Sequence, residues 1–252
     1  GSTAIVDIAG HVDNIGILNL TAATSDAQQN GAGARSEIID SVGGGRLKLG
    51  GTVTYYAGFA GEQHGSSMIS ADLDLNGATR TFTIEDSDQT TEEVVITGTI
   101  TNSVGAAAGM IKAGAGTLNL DGEGRIPGTA VVQAGRLNVN GTLDSVMTSV
   151  KLGATLGGSG ILEGPAIFEA GGTNAPGLMT YGGGLTFSNL SVLQWELNAN
   201  TNAISLRGTA FDGIDVAGGQ FQALNGSLMS LVFSNGVSGV DWSDGFWAND
   251  HS

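Results

Sequence analysis

Five carboxylates crowd into nine residues of the stretch TIEDSDQTTEEV: Glu85, Asp86, Asp88, Glu92 and Glu93. Calcium gathers roughly six to eight oxygen ligands, and a turn this acidic would supply several of them. The spacing is not that of an EF-hand loop, and the glycine-rich nonapeptide that builds calcium β-rolls is missing. A solvated turn between two strands is the simpler reading, so calcium stands as the one cofactor to consider and no other cofactor is expected. A second cluster lies in YYAGFAGEQHG, where Tyr55, Tyr56, Glu62 and His64 fall close together. A carboxylate beside an imidazole is acid–base chemistry, of the kind used on glycosidic bonds. Glu62 and His64 are therefore the weak catalytic candidates, set against an ordinary surface loop.

The other reactive types carry less. His11, His64 and His251 stand in unrelated segments with no partner at metal-ligand spacing, and no zinc, phosphate-loop or nucleophile-elbow motif is present. Asp212 and Asp215 in FDGIDVAG read as turn residues. With no cysteine, thiol catalysis, thiolate metal sites and disulfides are excluded. The formal charge of −15 repels phosphate backbones and anionic headgroups, which argues against nucleic acid and direct membrane binding. No run of about 18 apolar residues occurs, so no membrane-inserting segment is expected.

What must position any site is a repeat. VQAG (132–135), VKLG (150–153) and FEAG (168–171) space Val132, Val150 and Phe168 evenly, eighteen positions apart, and Gly135, Gly153 and Gly171 likewise. GTLNLDG matches GRLNVNG, with Leu118 and Leu137 nineteen apart. That period is too short for a helix pair or a propeller blade, and fits one coil of a β-solenoid. Alternation sends Leu118, Leu120, Leu137 and Val139 inward and Asn119 and Asn138 outward, with Leu193, Trp195 and Leu197 inward further on. Stacked coils then form an inward column of Val132, Val150 and Phe168 and an outward one of Gln133, Lys151 and Glu169. The 43 glycines serve the corners, through positive φ and room for neighbouring backbone.

The whole chain, 1–252, reads as one all-β domain. At about 18–20 residues per rung it predicts about 12–13 rungs and a length near 60 Å. Residues 24–45 and 59–68 are expected to be loop excursions, the first with one helical turn. Gly1 and Ser2, without a Met, read as a tagging scar or a processed end that would hide any signal peptide. Trp242, Phe246 and Trp247 are expected to cover the last rung, since an open solenoid end exposes core and strand edge. An uncovered end would favour end-to-end self-association.

The segment KAGAGTLNLDGEGRIPGTAVVQAGRLNVNGTL resembles the autotransporter-associated β-strand repeat. Lys112, Gly114, Gly116, Leu118, Leu120 and Gly122 match its first half, and Thr129, Val132, Gly135, Leu137, Val139, Asn140 and Gly141 its second. The match is best over 112–177. It implies a right-handed parallel β-helix on a secreted or cell-surface protein of a Gram-negative bacterium, a passenger domain or adhesin. An autotransporter would end in an outer-membrane barrel, and DWSDGFWANDHS is not one, so an excised passenger or a barrel-less relative is expected. The leading expectation is a non-catalytic stalk or adhesin whose partners are glycans or surface proteins. A carbohydrate-active β-helix, a lyase or hydrolase, is the alternative, and a calcium-stabilised binding module the next. A deep cleft lined by three or more carboxylates beside 55–65 or 83–94 would favour the enzyme, although coils of near-minimal length leave few loops to wall one, and a smooth rod with no cleft would favour the stalk or adhesin.

Overall fold

In the computed structural model of the chain, residues 3–21, 35–57, 65–87, 90–105, 107–201 and 203–233 are described. Their short alternating segments stack as a parallel β-solenoid with three strand faces, every strand pair running parallel. The first face has ten strands in chain order: Thr3–Asp7, Arg35–Ile39, Ser67–Ile69, Val94–Ile96, Thr117–Leu120, Arg136–Val139, Thr155–Gly158, Thr173–Pro176, Val192–Leu197 and Leu228–Phe233. The second and third faces form one sheet, because the long strands Glu123–Val132 and Thr142–Val150 run through both. Their pairing shifts register between Ile126 and Thr129, which marks the bend from one face to the next.

The register explains the repeat. Val132 pairs with Val150, Val150 with Phe168 and Phe168 with Phe187, all fully buried or nearly so. Phe168 and Phe187 stack with ring centroids 5.0 Å apart. Leu118 pairs with Leu137 and Leu137 with Leu156, so one coil separates each leucine from the next. Gly135, Gly153 and Gly171 all sit at positive φ, +64°, +74° and +76°, where a side chain would be strained. The repeated glycine is therefore a corner residue in the left-handed conformation.

The short coil of the repeat holds from Leu118 to Val192; elsewhere the coils are longer. Thr3 pairs with Arg35, Ser67 with Val94 and Val192 with Leu228, so each of those coils runs well past the length of the repeat. Among the described residues the first face has ten rungs, set against 12–13 expected of the whole chain, and these ten span roughly 43 Å at the usual strand spacing. Two of the connections between strands, 85–93 and 198–212, are described in most of their residues, 85–87 and 90–93 in the first and 198–201 and 203–212 in the second. Two expectations change. Arg35–Ile39, within the expected excursion 24–45, is a first-face strand, and Ser67, within 59–68, begins another. Both strands have a residue aimed into the core, Ile38 and Ile69, so burial wins over the polar local sequence. Gly1, Ser2, Trp242, Phe246 and Trp247 lie outside the described residues.

One core position departs from its column. Lys112 pairs with Phe82 on one side and Val132 on the other, and is fully buried. Its Nζ donates to the carbonyls of Ala113, Gly114 and Ala134 at 3.0, 2.9 and 3.0 Å. A lysine stem fills the apolar column while the ammonium replaces its water with corner carbonyls.

Candidate functional site

The acidic turn does not assemble a cation site among the described residues, where no group of three or more potential ligands comes together. Glu93 turns inward, 1% exposed, and its two oxygens accept the backbone N–H of Ser87 (3.1 Å) and Thr117 (2.6 Å). Glu85 accepts the N–H of Ala57 at 3.0 Å. These carboxylates fasten the excursion to its neighbours, and Asp86 stands beside Glu85 in the same connection. Asp88, Glu62, His64 and His251 lie outside the described residues. Tyr55 is buried in the core, where burial first and Glu93 second push its hydroxyl up to about 12. Tyr56 is exposed.

Glu92, the remaining member, marks one rim of a groove on the first face. The floor comes from three successive rungs: Arg136, Asn138 and Asn140, then Gly158 and Ser159, then Ala175–Gly177. The opposite rim is the 198–212 excursion with its base, contributing Glu196, Asn198, Gly208 and Asp212. The groove has a volume of about 350 Å³ and lies largely open to solvent. Glu92 and the described residues Asn198, Gly208 and Asp212 border this open groove, whose floor rungs are themselves minimal.

Arg136 is laid across this floor. Its Nε donates to Asn138 Oδ1 at 2.6 Å and its Nη2 to the Ala175 carbonyl at 3.2 Å. The path runs over Gly157, where a Cβ would overlap the guanidinium, so the glycine makes the arginine's resting place. Asn138 in turn donates to Asn119 on the rung below at 2.8 Å, and Asn140 to Asp121 at 2.8 Å. The outward asparagine column is real, but Asn119 is 3% exposed and leaves Asn138 and Asn140 as its accessible members.

Asp212 closes the neck of the excursion. Its Oδ2 accepts the Glu196 N–H at 2.7 Å, its own N–H donates to the Glu196 carbonyl at 3.1 Å, and Asn198 N–H reaches the Ala210 carbonyl at 2.6 Å. Burial pushes the Asp212 carboxyl up to about 6; the hydrogen bond from the Glu196 N–H opposes the rise, the Glu196 carboxylate adds to it and the Arg136 charge opposes it. Burial also lowers the Arg136 guanidinium, against the pull of Glu196 and Asp212. Asp215, its sequence neighbour, instead pairs with Arg207 at 2.7 Å.

The raised Asp212 carboxyl makes stability depend on pH. Unfolded, it ionises near 3.8, while the folded one holds its proton to about 6, so the folded state binds more protons between those values. Stability from this group then falls as pH rises from about 4 to about 6, by on the order of 1 kcal/mol given the water of an open groove. Asp212→Asn should flatten that part of the urea-stability profile; an unchanged slope would place the titration elsewhere.

A second depression, about 380 Å³, lies between Thr101, Asn102, Arg125 and Asp144. Its arginine is exposed and held by Glu123 at 2.7 Å, so it lacks the fixed, half-buried charge of the first-face groove. On the third face, Lys151 pairs with Glu169, which also accepts from Ser149 at 2.8 Å, consistent with the outward column. Compared with protein-family profiles, curated proteins and solved structures, the chain matches none of them.

Proposed function

We propose that the chain is a rod-forming module of a bacterial surface protein, a passenger-type stalk or adhesin that acts through its outward faces and not by turnover. The observation that carries this reading is the continuous ten-strand parallel ladder over an apolar core, built without cysteine. Such a ladder resists bending and presents rows of polar side chains at regular spacing, suited to weak contacts repeated along a partner. The likeness of 112–143 to the autotransporter-associated repeat supports secretion and a surface location. Glycans or surface proteins are the partners proposed.

The test is a binding screen over immobilised glycans and surface proteins, run beside turnover assays on the same polysaccharides, with calcium and with chelator. Saturable binding without product release is the expected result, and the melting temperature should be the same in calcium and in chelator. Release of oligosaccharides would overturn the non-catalytic reading. A carbohydrate-active enzyme is the second reading, favoured by the feature the sequence named for it: Glu92, from 83–94, lines one open groove with Glu196 and Asp212, and Asp212 is able to hold a proton near pH 6.

A further inference from the structure

We infer that the first-face groove bounded by Glu92 and the 198–212 excursion is a saccharide-binding site, taking a short stretch of an uncharged or amine-bearing polysaccharide. The inference rests on the adhesive reading above and gives it a place and a ligand class.

Sugar hydroxyls donate and accept together, so they are recognised by side chains that can do both or that come in donor–acceptor sets. Arg136, Asn138, Asn140, Ser159 and Glu196 provide such a set within one groove. The set is preorganised. Arg136 is tied at both ends across Gly157, and Asp212, 5% exposed, is fixed by the Glu196 backbone. Groups already ordered lose little further entropy when a ligand arrives. The groove crosses three rungs and lies open along the face, which admits a chain passing through.

Charge selects among glycans. Three carboxylates, Glu92, Glu196 and Asp212, face one arginine, on a chain of formal charge −15. A uronate or sulfated chain would meet repulsion, while a hydroxyl-only chain would not and an amino sugar would be attracted. Among the described residues no aromatic side chain lines the groove, so without stacking a single site should bind only in the range of about 0.1–1 mM. Repetition along a polymer, or across many copies of the rod, would raise that weak affinity.

The experiment is isothermal titration of the whole chain with cellohexaose, with the hexamer of glucosamine and with hexagalacturonate. Wild type should bind one of the first two at least fivefold more tightly than hexagalacturonate. Ser159→Trp fills the floor from an exposed position and should weaken binding at least tenfold with an unchanged melting temperature. Gln133→Trp puts the same bulk on an exposed corner away from the groove and should leave binding as it was. Should Ser159→Trp lower the melting temperature, Glu196→Gln carries the test by removing one acceptor without adding volume, with at least a threefold loss expected. Binding that survives both groove variants, or a preference for hexagalacturonate, overturns the site. So does a wild type that binds none of the hexamers. If that wild type still coats immobilised glycans or proteins, the adhesive reading stands without this groove; if it coats nothing, both fall.

Discussion

Gly141→Ala should destabilise the middle of the rod by about 3 kcal/mol or more, although it adds a single methyl group. Gly98, Gly122, Gly141 and Gly160 stack at the corner between the first and second faces. Their N–H groups donate to the carbonyls of Ile69, Ile96, Leu120 and Val139 on the rung below, at 3.3, 3.0, 3.0 and 2.9 Å. A Cβ on any of them would overlap a backbone carbonyl: Ala71 for Gly98, Gly98 for Gly122, Gly122 for Gly141 and Gly141 for Gly160. The obstacle is backbone on a rung already fixed by its own ladder, so it cannot step aside as a flexible side chain would. Relief requires the two coils to separate, which lengthens hydrogen bonds on both sides of the corner.

Backbone conformation alone would give the opposite sign. None of these four glycines has positive φ, so alanine's backbone conformation is allowed there. At an unobstructed position of that kind, Gly→Ala would stabilise by about 0.4–1 kcal/mol through the unfolded chain. Gly153 is the reverse case, with φ +74° and nothing within 4 Å of a new Cβ, so Gly153→Ala should cost only about 1–2 kcal/mol of backbone strain. Urea denaturation of the three proteins ranks them. Amide exchange should locate the Gly141→Ala damage on the adjoining rungs 117–120, 136–139 and 155–158, because a solenoid coil touches only its neighbours. A neutral or stabilising Gly141→Ala would refute the close-stacked corner.

The contrast between these glycines also shows what is legible in sequence. Gly135, Gly153 and Gly171 recur at a constant interval because each rung there is bare, and an uninterrupted rung is the condition under which a period can be read. From Thr3 to Val94 the coils differ in length, so register survives in space but not in sequence. Ile38 and Ile69 pair across one long coil with nothing between them that repeats. The groove is hidden for a related reason. Its rims come from Glu92 and from 196–212, far apart in the chain, and only stacking brings them to the same floor. Asp212 reads locally as a turn residue, which it is; its burial against Glu196 is a property of the folded neck. Arg136 falls between the repeat positions Gly135 and Leu137, and its resting place depends on Gly157 one rung later, a pairing visible only when the coils are in register.

Lys112 carries the other large effect, through pH. Burial pushes its ammonium down from the ordinary value near 10.5 to about 8, with Glu93 partly opposing the fall. Between those two values the unfolded chain keeps the proton and the folded chain gives it up, so the unfolded state binds more protons and stability rises with pH. The full difference corresponds to up to about 3 kcal/mol, of which about 2 should develop between pH 8 and pH 10. Above pH 10 the buried tyrosines act in the opposite sense. Tyr55 is held protonated to about 12 and Tyr181, fully buried, is raised by burial as well, so the unfolded chain loses those protons first and stability falls. Wild type and Lys112→Met, compared by urea denaturation at pH 7, 8, 9 and 10, separate the contributions, since the tyrosines are common to both. Methionine approximates the stem's volume and has no charge to lose, so the difference between the two proteins should move by about 2 kcal/mol in favour of wild type from pH 8 to 10. A constant difference would mean that the three carbonyls of Ala113, Gly114 and Ala134 hold the ammonium as well as water does, and that its burial is fully compensated at the corner.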